Sequence, residues 1–180
     1  MFRIKRKSFV SYHIIVTLLT AILVGFIGFC QIESAGAQIT NTSSISELID
    51  KGNSLFLLGR YEEAITWYDK ALAVEPENVD TLNNKGLALS NLGRYEEEII
   101  WYDKAIAVDP KNVDALNNKG IALSNLGLHE ESILWFDKAL AVDPNDAIVL
   151  GNKGLALDEL GNHDEAITCM IKPWRLIPNF

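Results

Sequence analysis

The chain has 180 residues, 48% of them apolar and 22% charged, with a formal net charge of −8, a composition that suits a folded globular protein. Charge is unevenly divided: residues 1–30 hold Arg3, Lys5, Arg6 and Lys7 and no acidic side chain, which leaves 12 Lys and Arg against 24 Asp and Glu from Gln31 onward. So acidic a body excludes a nucleic-acid partner, because phosphate binding needs a basic stripe, and it points to a protein or peptide partner that is neutral or basic.

Lys7 is the last charge before Glu33, and the centre of the uncharged stretch between them is dense in aliphatic residues. A basic start, an apolar middle and the small residues Ala35, Gly36 and Ala37 read as a secretory signal cleaved before Gln38. The apolar run is also long enough for a retained hydrophobic helix, with residues 9–29 in the membrane and 1–37 as signal peptide or anchor. In both cases the basic cluster stays cytoplasmic and the rest of the chain is delivered outside. Cys30 follows bulky Phe29 and does not suit lipidation; with Cys169 the only other cysteine, no disulfide framework is readable. Residues 38–44 form a polar linker containing Asn41-Thr42-Ser43, an acceptor for N-glycosylation in a host with that machinery.

From Ile45 onward a 34-residue pattern is written four times, over 45–78, 79–112, 113–146 and 147–180. The second and third units are identical at 24 of 34 positions, which marks duplication. Each unit opens with a leucine (Leu48, Leu82, Leu116, Leu150), then a glycine four residues on (Gly52, Gly86, Gly120, Gly154), then a leucine three further (Leu55, Leu89, Leu123, Leu157). These intervals put the three on one helical face. A second glycine (Gly59, Gly93, Gly127, Gly161) predicts a left-handed cap ending the first helix. The second helix opens on acidic pairs that suit its dipole and runs through Ile65, Tyr68 and Ala71 and their counterparts to Pro76, Pro110, Pro144 and Pro178. A hairpin of this size cannot bury both apolar faces alone, so the units must stack.

The series Gly52, Gly59, Tyr61, Ala64, Tyr68, Ala71 and Pro76, repeated with few changes, resembles the tetratricopeptide-repeat family. The resemblance covers residues 45–180. It implies an all-α fold, a right-handed superhelix or α-solenoid of four antiparallel helical hairpins, preceded here by the separate N-terminal hydrophobic helix. It also implies that first helices line a concave groove that takes an extended peptide or protein segment. On that basis the sixth place of each unit (Asp50, Asn84, Asn118, Asn152) faces the groove, like the asparagine ladder by which some family members hold a peptide backbone. Asn83 and Asn117 extend the strip, with Asn53, Ser90 and Ser124 further along the same helices. Simple solvation of an exposed helix is the alternative for these asparagines. Lys85, Lys119 and Lys153 are rotated away from the strip and are expected to snorkel at the helix edge.

Some positions depart from the family pattern. Glu98 stands where the other units have Ala64, Ser132 and Ala166, and is expected to tilt toward solvent at some loss of packing. His129 and His163 occupy the place of Tyr61 and Tyr95, which favours an aromatic-like packing role over metal ligation. Pro173 should end or kink the last helix, and Leu155, Ile167, Ile171 and Trp174 are expected to leave an apolar end surface open to a second copy, a partner or the membrane, unless the terminal segment folds back over its own core. No nucleophile with a base, phosphate loop or metal cluster is legible, so the expectation is a non-catalytic interaction module without cofactor, outside the cytoplasm. A membrane-anchored structural subunit that assembles through its solenoid ends is the other reading.

Overall fold

The computed structural model describes residues 45–175. The leader, the linker with Asn41, the expected N-terminal hydrophobic helix and residues 176–180 lie outside the described residues. The described chain holds eight helices and no strand: α1 (45–57), α2 (Tyr61–Val74), α3 (Val79–Asn91), α4 (Tyr95–Val108), α5 (Val113–Asn125), α6 (His129–Val142), α7 (Ala147–Glu159) and α8 (His163–Arg175).

Local chemistry accounts for each boundary. Asn78, Asn112 and Asp146 cap α3, α5 and α7, their side-chain oxygens accepting from the amides of Thr81, Ala115 and Val149 at 2.9, 2.8 and 3.0 Å. At the turn inside each hairpin the glycine is left-handed, with φ of +72° at Gly59 and +70° at Gly93. That conformation lets the next amide, of Arg60 or Arg94, reach back to the carbonyl of Leu55 or Leu89 at 2.9 and 3.0 Å. Acidic residues open α2, α4 and α6, where Arg60 pairs with Glu63 and Arg94 with Glu97. The helix containing Pro173, where an end or a kink was expected, runs two residues beyond it to Arg175.

Packing within a hairpin turns on the first glycine of the unit. A Cβ on Gly52 or Gly120 would sit 2.5 Å from the ring of Tyr68 or Phe136, and on Gly86 it would collide with Tyr102 in the same way. The glycine therefore makes room for the large ring of the opposite helix, and Tyr68, Tyr102 and Phe136 are each 1% exposed. Packing between hairpins is just as intimate. Leu72 of the first unit, Leu82 and Ala105 of the second and Ala115 of the third share one buried cluster, so no unit has a private core.

From α2 to α8 consecutive helices contact one another, and α3 also touches α5 and α5 touches α7. No such contact joins α4 to α6 or α6 to α8. The first helices therefore crowd together on the inner side of a bent stack, with the second helices outside.

Glu98 does not tilt to solvent. It is 1% exposed, with neither carboxylate oxygen hydrogen-bonded, because its place on α4 aims it at the hairpin interface that Ala64 and Ser132 fill in neighbouring units. Burial pushes its pKa up to about 7. A carboxyl whose folded pKa exceeds its unfolded value adds nothing unfavourable below about pH 4.5, and its penalty grows as pH rises to about 7. Glu98→Ala is accordingly expected to raise the melting temperature, with a gain approaching about 3 kcal/mol at pH 8 and a smaller one at pH 5. Equal gains at both pH values, or none, in thermal melts would count against the buried ionised form. Gly86→Ala is expected to lower stability by about 2–4 kcal/mol in urea denaturation, and combining it with Tyr102→Leu should recover part of that loss.

Candidate binding groove

The inner side of the stack is a groove of about 670 Å³ built by α1, α3, α5 and α7. Asn53, Asn83, Asn84, Asn117 and Asn118 supply side-chain amides, Ile49, Leu87, Ile121 and Ile148 apolar walls, and Asp80 and Asp114 carboxylates. A notch of about 240 Å³ adjoins it, lined by Phe56, Leu57, Tyr68 and Leu87 together with Asn53 and Asn84. Among the expected groove residues, Asp50, Asn152, Ser90 and Ser124 are not in this lining. Asn152 Nδ2 donates to Asn117 Oδ1 at 2.9 Å, and the Ser124 hydroxyl lies 3.3 Å from His129 Nδ1.

The asparagines are partly bound to one another across units. Asn83 Nδ2 donates to Asn112 Oδ1 at 3.1 Å, so the cap of α5 is also tied to α3. Asn84 Nδ2 donates to Asn53 Oδ1 at 3.1 Å, and the same oxygen accepts from the Tyr68 hydroxyl at 2.9 Å. Burial raises the Tyr68 pKa to about 12, so the phenol remains a donor across ordinary pH. Asn83 and Asn117 are 7% and 9% exposed, and their role is first of all to fasten one first helix to the next. Asn118, half-buried in the lining, makes no side-chain hydrogen bond among the described residues.

The lysines of α3, α5 and α7 reach away from the groove. Lys85 pairs with Asp69, Lys119 with Asp103, and Lys153 with Asp137 at 2.8 Å, each reaching back to the second helix of the preceding unit. Lys85 Nζ lies 3.6 Å from the centre of the Trp101 ring and Lys119 Nζ 3.8 Å from that of Trp135, with Lys104 and Lys138 on the same two rings at 3.7 and 3.4 Å. The lysines do not snorkel at the edge as expected: Lys85 and Lys119 are 7% and 9% exposed, because carboxylate and indole together replace the water they lose. Burial, the largest single cause, depresses the Lys153 ammonium, but the hydrogen bond to Asp137 and the attraction of the negative charges around it together outweigh burial and the pKa rises. The 34-residue recurrence of Asp, Lys and Trp was visible in the sequence, and only the alternation of helices between units showed that they meet.

The remaining candidates separate. His129 is half-buried beside Ser124, whereas His163 is exposed and bonded to Asp158 at 2.6 Å, so the packing role expected for it is not realised. The cluster that takes in Tyr61 includes Ala88 of the following unit, and no described unit follows α8. Among the described residues no three metal-ligating side chains converge. Cys169 is buried, and burial pushes its thiol pKa up.

Models of the tetratricopeptide repeat match residues 79–112, 101–133 and 135–168, and a model described as the TPR repeat matches 52–93. Solved structures with a similar fold include a crystal structure of MamA at 21% identity and TM-score 0.68, covering 73% of this chain and 77% of that one. MamA from residue 41 to its end, from Desulfovibrio magneticus RS-1, gives 24% identity and TM-score 0.68 over 73% of this chain and 75% of that one. MamA AMB-1 gives 25% and 0.61 over 74% and 78%. Identities at this level show the fold. A search of curated proteins finds no match to the chain.

The ladder leads to a measurable difference between two kinds of ion pair. Asp103→Ala, which strands the buried Lys119, is expected to lower stability by about 2 kcal/mol in chemical denaturation, whereas Glu97→Ala, which breaks an exposed pair with Arg94, should leave it unchanged. Equal effects would remove the lysine from the joint between units.

Proposed function

The chain belongs to the tetratricopeptide-repeat family, and from that premise we propose that it is a non-catalytic binding protein that works outside the cytoplasm and holds an extended segment of a partner protein in its concave groove. The fold is that of a protein-interaction scaffold. The observation that carries the finer reading is the row of side-chain amides along the groove, interrupted by apolar walls and by no cation. An amide offers a donor and an acceptor at once and so matches the repeating N–H and C=O of a peptide backbone, while the walls take alternate side chains. Asn84 keeps its Oδ1 and Asn118 its whole amide for this purpose.

Delivery outside the cytoplasm rests on the basic start and apolar run of residues 1–37, and retention of that segment would tether the scaffold to the membrane. Among the described residues no helix is long and apolar enough to span a membrane. A second reading, assembly of copies through the ends of the stack, is favoured by one observation: Leu58 in the first unit and Leu155 and Ile167 in the last are 70%, 59% and 56% exposed.

A photo-crosslinking amino acid placed at Ile121 in the groove, and separately at Ile100 on the second helix α4, distinguishes these readings in the native extracytoplasmic fraction. The expected result is a discrete adduct from position 121 alone, reduced about tenfold by Asn84→Ala with Asn118→Ala. An adduct insensitive to both substitutions removes the groove, and an adduct with a second copy of this chain supports end-to-end assembly.

A further inference from the structure

On its groove side the first unit departs from the other three. The ninth place of a unit is apolar at Leu87, Ile121 and Leu155 but is Asn53 in the first, and the twelfth and thirteenth places, Ser90-Asn91, Ser124-Asn125 and Asp158-Glu159 elsewhere, are there Phe56-Leu57. Polar and apolar residues have exchanged places across one helical turn. The exchange moves the apolar surface of α1 toward its C-terminal end, where it walls the notch of about 240 Å³ that adjoins the groove.

The protein's own packing accounts for one of the two apolar residues and not for the other. Phe56 meets the Tyr61 ring edge-on, with ring centres 5.3 Å apart, and packs on the core of the first hairpin. Leu57 belongs to no buried cluster and is 84% exposed, at a place where every other unit is polar. The polar side chains of the notch are already joined to one another: Asn53 Oδ1 accepts from the Tyr68 hydroxyl and from Asn84 Nδ2. No charged side chain lines the notch, whereas the groove beside it carries Asp80 and Asp114. A neutral, largely apolar lining matches a neutral, apolar occupant, since a charge entering it would lose its water without gaining a counter-charge.

Resting on the groove reading above, we propose that the notch is the anchor pocket for one bulky apolar side chain of the bound segment, a leucine, isoleucine, methionine or phenylalanine. Volume sets the size of the occupant. An apolar cavity of about 150 Å³ already holds a benzene ring, whereas drug-sized ligands occupy about 300 Å³ or more, so 240 Å³ suits a single side chain. Its entry withdraws the apolar surface of Leu57 from water. Asn84 keeps its Oδ1 for the N–H of the peptide group beside that side chain, and Leu87, which lines both notch and groove, leads the segment on toward Ile121. A row of like asparagines cannot by itself tell one register of an extended chain from another; a single pocket at the first-unit end fixes it.

The test is selection of random dodecapeptides on the full-length protein, followed by fluorescence anisotropy of the selected peptides. Leu57→Asn gives the first unit the side chain that Asn91 and Asn125 supply in the next two, at an exposed place, so its thermal melt should match that of the parent protein. The selected peptides are expected to share one Leu, Ile, Met or Phe, and its replacement by alanine should lower affinity at least about tenfold. Leu57→Asn should lower affinity by a similar factor, and the two changes together little more than either alone, because both remove the same contact. Losses that add in full place the apolar residue elsewhere and overturn the pocket. Peptides weakened by Asn118→Ala with Ile148→Ala, in the groove but outside the notch, yet indifferent to Leu57→Asn overturn the pocket and leave the groove reading standing. Peptides indifferent to all three protein changes, or failure to select any, overturn both.

Discussion

A helical hairpin with two apolar faces has to bury the second one against a neighbour, and everything else in this molecule follows from how closely neighbours can approach. Closure inside each hairpin depends on one missing side chain: Gly52, Gly86 and Gly120 leave the volume that the rings of Tyr68, Tyr102 and Phe136 fill. Closure between hairpins depends on clusters that draw from two or three units at a time. The first helices come near enough to touch across units while the second helices do not, and the stack bends into a groove.

The same alternation distributes charge. A lysine on each first helix from the second unit on meets an aspartate from the unit before, and at the second and third units a tryptophan from its own. One three-part contact therefore joins units, shields an indole and removes a cation from the inner side. What stays in the groove is amide, aliphatic and carboxylate, a surface hostile to anions.

Two positions break the repeat and show how strict it is. At Glu98 duplication has left a carboxyl where every other unit has a small residue, and the helix interface holds it buried and unpaired. Asn83 is likewise unpaired on its oxygen, although Asn117 in the same place of the next unit accepts from Asn152.

Helix boundaries, the hairpin period and the left-handed glycines were legible in the sequence, because spacing along one helix fixes which side chains share a face. Contacts between units were not, because they depend on the rotation and separation of helices 16 to 35 residues apart, which no local pattern encodes. That is why Lys85 reads as an edge residue and proves buried, why Glu98 reads as able to escape and cannot, and why Ser90 and Ser124 fall outside the groove lining. Periodicity alone determined that hairpins stack; tertiary packing alone decided which amides are spent joining them and which are left facing the groove.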